Sequence, residues 1–499
     1  MRARRAVTLC VASALCAGAW SCNAVLGIND PEHAVDAGTL SDASIEETAA
    51  QPDGPLADTA TEDTAVTDDH PDVQPETPPE AQVESGDETD AQPCGEPGQP
   101  CCNGTCGVGA CCLDECVDTA TDPANCGGCG TKCEIGCASS ACVKALQVGL
   151  GDEHSCVTLS DKTVRCWGRG IDGELGNGAG QDQAKPQVVV ETGTTALGNA
   201  VRVQGGFLST CVQISAGSLR CFGSNSKGQL GDGLGVARKT ADGGPTLTGV
   251  TEMSVGSQHV CAIASGSAWC WGYNNYRQVS PNAVSTVATP EMVALTGNVT
   301  KAACGYQHSC AARDDGTVWC WGWNSQGQLG NNSNADSPTP VQAQQCTPAG
   351  PLTGVQRIAA GARHTCAVKA DKTVWCWGDG GYGQVGDGKK ELHSCAVQTA
   401  GLNTAEQIAA GNNHTCAVLS NNALYCWGYN AEGEVGNGTK IDVLLPAQVL
   451  DNVVAVDLGD GHSCAARVDG SVDCWGINER GQLGDGTKTQ SVTPKKVIW

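Results

Sequence analysis

Residues 310–322 read CAARDDGTVWCWG, and this pattern is typical of a short β-hairpin. Two runs rich in apolar residues flank the turn signal DDG. With the turn centred on Asp315, Cys310 and Cys320 face each other across the two strands. Opposite residues in a non-hydrogen-bonded antiparallel pair have Cα atoms about 4.5 Å apart, which lies within the disulfide range. The spacing therefore predicts a disulfide between these two cysteines.

The same hairpin recurs seven times, about once every fifty residues. In the third unit the two cysteines are one residue closer, and the turn then centres between Ser265 and Gly266, as in a two-residue loop. Both loop lengths keep the cysteines opposite each other, so we predict one cross-strand disulfide in each unit. Each closes a short loop and contributes roughly 2–3 kcal/mol in the chain-entropy model. The predicted pairs are Cys156–Cys166, Cys211–Cys221, Cys261–Cys270, Cys310–Cys320, Cys366–Cys376, Cys416–Cys426 and Cys464–Cys474.

Each second cysteine is followed by Trp-Gly, or by Phe222-Gly223 in the second unit, and then by a Gly-rich turn. The clearest turns read GQLGDG at 228–233, GQLGNN at 327–332, GQVGDG at 383–388 and GQLGDG at 481–486, whereas the third unit reads RQVSPN at 277–282. Over residues 144–499 these units resemble the regulator of chromosome condensation repeat. The resemblance implies an all-β fold, a seven-bladed β-propeller of four-stranded blades.

Strand alternation places Val318 and Cys320 on one face and Trp319 and Trp321 on the other. Because neighbouring blades stack face to face, the sulfur of one blade is expected against the indole of the next. Most of the 12 Trp residues are therefore interpreted as structural.

Three further cysteines lie in the repeat region. Cys346 and Cys395 fall in loop insertions of adjacent units, where they either bridge the units or stay apart. Cys304 stands where other units have small residues, and we predict a buried free thiol there.

The N-terminus carries an export signal. Three arginines precede a short apolar run that ends in AWSC, so residues 1–21 are predicted to be a signal peptide. The ending resembles a bacterial lipobox, which implies lipidation of Cys22. Ordinary signal cleavage is the alternative, and Cys16 is a second candidate for lipidation.

Residues 22–93 are predicted to form a disordered acidic linker. Residues 23–93 contain 19 acidic residues, no Lys or Arg and no aromatic residue, so they cannot bury enough apolar surface to order themselves. The linker is interpreted as a stalk, since no spaced calcium-binding motif occurs in it.

Residues 94–143 hold twelve cysteines and almost no large apolar side chains, so they need covalent staples to fold. We predict a small disulfide-rich module, which resembles a module found in secreted myxobacterial proteins. A zinc site at Cys126, Cys129, Cys133 and Cys137 is the alternative.

Composition limits the cellular context. The 32 cysteines indicate an oxidising compartment. Residues 94–499 hold 35 acidic against 26 basic residues, a balance that argues against nucleic-acid binding.

Histidine precedes the first cysteine by two residues in six units, at 154, 259, 308, 364, 414 and 462, and Ser209 replaces it in the second. A ring of histidines suggests a metal site. However, equivalent residues around a propeller are too far apart to share one ion, so we interpret each His as making the same local hydrogen bond within its own blade.

No catalytic motif stands out. The stretch DDGTVW at 314–319 resembles the Asp box (BNR repeat) of sialidase propellers, which is a turn motif. A glycosidase needs a paired carboxylate site, and no such pair can be picked out from the loops.

The sequence thus favours a non-catalytic protein, anchored at the cell surface or outer membrane or released outside the cell, without cofactor or metal. Its propeller would bind an unknown protein or glycan through long loops near 178–198, 233–248 and 332–352. The alternatives are an exported glycan-acting hydrolase, a purely structural envelope protein and, by family analogy, guanine-nucleotide exchange.

Overall fold

A computed structural model describes part of the chain, namely residue 97 and residues 109–112, 115–127, 129, 132–282 and 284–499. All of them belong to the second of two units, Glu88–Trp499. The regular elements in this part are all strands, and none of its segments forms a helix long and apolar enough to cross a membrane. The predicted signal peptide, the lipidated Cys22 and the acidic linker lie outside the described residues.

Seven antiparallel sheets follow one another along the chain, each from a continuous stretch of sequence. They confirm the predicted all-β, seven-bladed propeller. Blade 1 comprises β5 Ala145–Leu150, β6 His154–Leu159, β7 Val164–Gly168 and β8 Gln183–Val188; blade 2 comprises β11 Ala200–Gly205, β12 Ser209–Ile214 and β13 Leu219–Gly223. Blade 3 comprises β14 Val250–Val255, β15 His259–Ala264, β16 Ser267–Tyr273 and β17 Thr286–Met292; blade 4 comprises β18 Val299–Cys304, β19 His308–Arg313, β20 Val318–Gly322 and β21 Ser337–Gln342. Blade 5 comprises β24 Val355–Ala360, β25 His364–Lys369, β26 Val374–Gly378 and β27 His393–Gln398; blade 6 comprises β28 Ala405–Ala410, β29 His414–Leu419, β30 Leu424–Gly428 and β31 Val443–Leu450; blade 7 comprises β32 Val453–Leu458, β33 His462–Arg467, β34 Val472–Gly476 and β35 Ser491–Lys496.

Two insertions add short strands. The pair β9 Val190–Thr192 and β10 Thr195–Ala196 follows blade 1, and the pair β22 Gln344–Gln345 and β23 Gly350–Pro351 follows blade 4. Strand β22 also pairs with the outer strand of blade 5. Large parts of the segments 178–198 and 332–352 are therefore paired strands rather than free loops.

Blade 2 departs from the four-strand pattern, because the segment after β13 is irregular. It still covers the edge of that strand, since Arg238 bridges Gly223 and the Cys221 N–H donates to the Gly243 carbonyl at 2.9 Å. The segment 233–248 thus takes the place of a fourth strand.

The apolar core lies between the blades rather than at one centre. Each interface buries the apolar side of one blade against the inner strands of the next, and the last interface joins blade 7 to blade 1. Because each blade is a continuous stretch of sequence, no strand is exchanged across this last interface. Non-covalent contacts between residues about 300 positions apart close the ring.

The cysteine-rich segment forms two small hairpins, β1 Ala110–Cys112 with β2 Glu115–Val117 and β3 Cys137–Ala138 with β4 Ala141–Cys142. Disulfides join Cys126 to Cys137 and Cys133 to Cys142, and Cys129 is also disulfide-bonded. In this structure all four cysteines of the zinc alternative are disulfide-bonded. The end of the segment packs on blades 1 and 7 through Ile135 and Ala138.

Candidate functional site

The repeated cysteines lie inside the blades. In each blade the second and third strands pair so that the two cysteines are direct partners, including Cys261 and Cys270 in the shorter hairpin. Their Cα atoms are 4.0–4.1 Å apart and their sulfurs form disulfides. These fourteen residues are fully or almost fully buried, so they stabilise the blades and offer no surface for binding.

The remaining cysteines of the propeller differ in their bonding. Cys346 and Cys395 form a disulfide that ties the insertion after blade 4 to the outer strand of blade 5. Cys304 is a buried free thiol at the interface of blades 3 and 4.

The histidines do not bond within their own blades, and that expectation was wrong. Each Nε2 lies 2.7–2.9 Å from a Ser or Thr hydroxyl of the next blade. The pairs are His154–Thr210, His259–Ser309, His308–Thr365, His364–Thr415, His414–Ser463 and His462–Ser155. The last pair joins blade 7 to blade 1, so these bonds act as staples between blades.

The hydroxyl in each staple determines which ring nitrogen of the histidine carries the proton. Ser155, for example, donates to the Gln482 carbonyl at 2.8 Å and therefore accepts from His462 Nε2–H. The six Nδ1 atoms are buried and make no hydrogen bond in the described part of the chain. Burial lowers the pKa of these histidines to about 3, or to about 4 for His364, so each ring is neutral at physiological pH.

A glycine makes room for each ring. A Cβ atom at Gly151 would lie 2.1 Å from Cε1 of His154 and 2.3 Å from the Gly206 carbonyl oxygen. Only a residue without a side chain lets the next blade approach this closely.

The interface between blades 2 and 3 lacks both halves of the staple. Ser209 of blade 2 stands where the other blades have His. Val260 of blade 3 stands where the other blades have Ser or Thr. The Ser209 hydroxyl is buried and has no hydrogen-bond partner among the described residues, yet Gly206 keeps the space that the imidazole needs.

Restoring this staple is expected to stabilise the propeller. Ser209→His combined with Val260→Thr should raise the free energy of unfolding by about 1–2 kcal/mol more than the sum of the two single changes, because a buried hydrogen bond forms only in the double variant. Denaturant unfolding of the four proteins measures this coupling. Strict additivity would contradict the inter-blade role of the histidine.

Tryptophan supplies a second inter-blade bond. In the six blades that have Trp-Gly, the indole Nε1–H donates to a turn carbonyl of the preceding blade at 2.7–2.9 Å. The ring also shares an apolar cluster with the disulfide of that blade, as Trp321 does with Cys261–Cys270. These six Trp residues are structural.

The Asp-box carboxylates form turns. Asp315 accepts hydrogen bonds from the Thr317 N–H and hydroxyl, and these bonds lower its pKa. Asp371 and Asp469 make the same bonds in blades 5 and 7. None of these acids lines the channel.

A central channel of about 440 Å³ is lined by the innermost strands of all seven blades. One glycine from each blade lines it at the same repeat position, whereas most of its other lining residues change from blade to blade. Sequence reasoning missed these residues because they occupy the repeat positions that show no pattern.

One mouth of the channel is cationic. Arg202, Lys301 and Arg357 occupy equivalent positions near the start of the inner strands of blades 2, 4 and 5. Glu252 of blade 3 pairs with Arg202 and with Lys301, whose Nζ lies 2.9 Å from its carboxylate. Arg357 is exposed and has no ion pair within the described residues. Three cations and one carboxylate occupy this position of the inner strands, so these four side chains together carry a net positive charge.

The same mouth has an apolar side. Leu146 and Val201 lie one residue before this position in the inner strands of blades 1 and 2 and are 55% and 54% exposed. Of the two, Leu146 lines the channel itself. We call the set Leu146, Val201, Arg202, Lys301 and Arg357 the mixed mouth. Exposed aliphatic side chains beside an arginine such as Arg357 are typical of protein-binding surfaces.

The opposite mouth is acidic. Asp152 and Asp460 follow the inner strands of adjacent blades, and desolvation together with the charge of Asp460 raises the pKa of Asp152 well above its ordinary value. Asn412 donates a hydrogen bond to Asp460. Burial and the same two carboxylates raise the pKa of Tyr306.

The fold is a closed β-propeller. Its repeated residues build the ring of blades, and residues that differ between blades line the central channel. The RCC1-like domain model matches residues 221–498, and a regulator of chromosome condensation repeat matches residues 146–174. The chain belongs to the RCC1-like domain family.

Among curated proteins, the chain is 31% identical over 256 residues to the ultraviolet-B receptor UVR8 of Arabidopsis thaliana, a match that covers 50% of this chain and 56% of the receptor. It is 29% identical over 255 residues to the human E3 ubiquitin-protein ligase HERC2, covering 49% of this chain and 5% of the ligase. The chain thus spans about half of the receptor and a small part of the ligase.

Solved structures share the fold at low identity. Human WBSCR16 is 21% identical with a TM-score of 0.59, and the match covers 68% of this chain and 95% of that one. Prp20p of Saccharomyces cerevisiae is 21% identical with a TM-score of 0.58, covering 71% of this chain and 87% of that one.

Proposed function

We propose that this protein is a non-catalytic envelope scaffold, anchored through lipidated Cys22, which binds a protein partner at the mixed mouth. The observation that carries the proposal is that Leu146 and three cations line one end of the channel, with the exposed Val201 next to Arg202 in the same strand. The staples account for the repeated polar residues but not for the side chains of this mouth. Relatives with this fold support a protein partner, since the work on Prp20p concerns its binding to Gsp1p and histones.

The chemistry of the mouth defines the expected partner. Aliphatic side chains on blades 1 and 2 offer apolar anchoring points, while Arg357 on blade 5 offers a guanidinium free to bind a carboxylate. A segment with apolar and acidic residues fits this surface better than a neutral glycan. The membrane anchor would hold the partner at the cell surface.

Crosslinking in the native host tests the proposal. Leu146→Asp and Arg357→Glu should each weaken capture of the partner at least tenfold, because they remove an apolar anchor or reverse a charge at the mouth. Leu234→Asp and Lys488→Glu are matched controls, since both residues are exposed and lie away from the channel. The partner, identified by mass spectrometry, is then purified and titrated with all four variants.

Equal binding by the mouth variants and the controls would contradict the choice of site. The Cys22→Ser variant tests the anchor separately, because it should move the protein from the membrane fraction to the soluble fraction. A membrane-bound Cys22→Ser protein would contradict lipidation at this residue.

A glycan-acting hydrolase is the second candidate, favoured by the raised pKa of Asp152 beside Asp460. Labelled cell-wall polysaccharide distinguishes the two functions. A hydrolase would release soluble fragments and lose this activity on Asp152→Asn, whereas the scaffold releases none.

A further inference from the structure

The interface of blades 3 and 4 contains a group of three sulfurs found at no other blade interface in the described residues. The Cys304 Sγ lies within 4.8 Å of the Cys261 Sγ and of a ring nitrogen of His259, and Cys261 is disulfide-bonded to Cys270. The equivalent position of the other blades holds Leu, Gly, Val or Ala. Cys304 is therefore a free thiol beside a disulfide of the neighbouring blade.

We propose that Cys304 exchanges with this disulfide, which gives the blade interface a second covalent state. The Cys304 thiolate attacks the Cys261 sulfur, and the Cys261–Cys270 bond breaks. Cys270 leaves as a thiolate and takes up the proton that Cys304 lost, so neither an oxidant nor a reductant is consumed. The product holds blade 3 to blade 4 through Cys261–Cys304 and frees the thiol of Cys270.

The surroundings of Cys304 permit this exchange and also slow it. Its backbone N–H donates to Ser254 Oγ at 2.9 Å, which fixes the strand that carries the thiol, and the residue borders the central channel. Burial raises the pKa of Cys304 to about 12, so the thiolate is scarce at neutral pH. The exchange rate should therefore rise about tenfold for each pH unit between pH 7 and pH 10.

The first experiment traps the alternative bond. In the exported full chain, Cys270→Ser leaves Cys261 with Cys304 as its neighbour, and non-reducing peptide mapping should find a Cys261–Cys304 disulfide. Cys221→Ser is the matched control, because Cys211 then faces an interface where Val255 occupies the place of Cys304. That variant should leave Cys211 open to alkylation after denaturation. Alkylation of both Cys261 and Cys304 in the Cys270→Ser protein would overturn the proposal.

The second experiment measures exchange in the unaltered protein. After incubation between pH 7 and pH 10, acid quenching and alkylation under denaturing conditions should label a growing share of Cys270. Cys304→Ala should abolish this label without disturbing the fold, since Ala360 and Ala410 stand at the same position in blades 5 and 6. The proposal fails if Cys270 stays unlabelled at pH 10 in the unaltered protein, or is labelled equally in Cys304→Ala.

Discussion

Replacement of His462 by Ala should destabilise the propeller by about 3–4 kcal/mol and open it between blades 7 and 1. The imidazole is completely buried, and its Nε2 lies 2.8 Å from Ser155 Oγ across the closing interface. Its removal leaves a cavity and takes away the hydrogen bond that the Ser155 hydroxyl accepts.

Position in the ring distinguishes this histidine from the other five. No short connecting segment joins blades 7 and 1, so packing and hydrogen bonds hold this interface together. Besides the staple, Leu150 N–H donates to Asp457 at 2.9 Å, and Trp167 Nε1–H donates to the Gln482 carbonyl at 2.9 Å. At the other interfaces the chain itself also links the two blades.

His364→Ala is the matched control, because His364 is equally buried and makes the same bond to Thr415 between blades 5 and 6. Hydrogen exchange should show lost protection across strands β5 and β32 in His462→Ala, but only around the altered interface in His364→Ala. If both variants lose protection in the same local way, the closing interface has no special role in holding the ring together.

The repeats predicted the fold because they encode it seven times. Cysteine spacing and strand alternation together specify the hairpin, and the shorter hairpin of the third unit follows the same rule through Ser265 and Gly266. The register of all seven hairpins could be derived from local geometry, since it depends on residues no more than about ten positions apart.

The histidine staples could not be derived in this way. Their hydroxyl partners lie about fifty residues away, or about three hundred at the closing interface, and a repeat pattern does not show which blade provides the partner. One signal was nevertheless available in the sequence. The His is missing at Ser209 and the hydroxyl is missing at Val260, in neighbouring units, as expected if the two groups bond between blades.

The repeat pattern of the sequence did not predict the mixed mouth either. Arg202, Glu252, Lys301 and Arg357 occupy one repeat position with different residues, so periodicity gave no reason to group them. The ring brings them together only because all inner strands face one channel. The sequence instead predicted binding loops in long segments such as 332–352. Much of this segment forms paired strands.

Acid should destabilise the propeller steeply between pH 6.5 and pH 4. The six buried histidines are neutral in the folded state, where burial lowers each pKa to about 3 or 4, whereas an unfolded histidine takes up a proton near pH 6.5. The unfolded state therefore binds more protons in this window. Each histidine should lower the free energy of unfolding by about 1.4 kcal/mol per pH unit as the pH falls.

Carboxylates with a raised pKa oppose this effect in the same window. Burial raises the pKa of Glu434 to about 7 and that of Asp457 to about 6, and it also raises the pKa of Asp152, Glu174 and Asp460. These groups bind protons in the folded state first. The six histidines outnumber these five carboxylates, so net stability still falls as the pH is lowered.

Denaturant unfolding, followed by Trp fluorescence between pH 7.5 and pH 4, measures the slope of the free energy of unfolding against pH. His308→Gln shows the contribution of a single histidine to this slope. The Gln amide can keep the donated hydrogen bond to Thr365 but does not titrate, so the slope should decrease by about 1.4 kcal/mol per pH unit. His393, in contrast, contacts Asp387 outside the staples, so His393→Gln is the matched control for a His-to-Gln change. A pH-independent free energy of unfolding down to pH 4 would contradict neutral histidines in the folded propeller, because protonation would then cost the fold nothing.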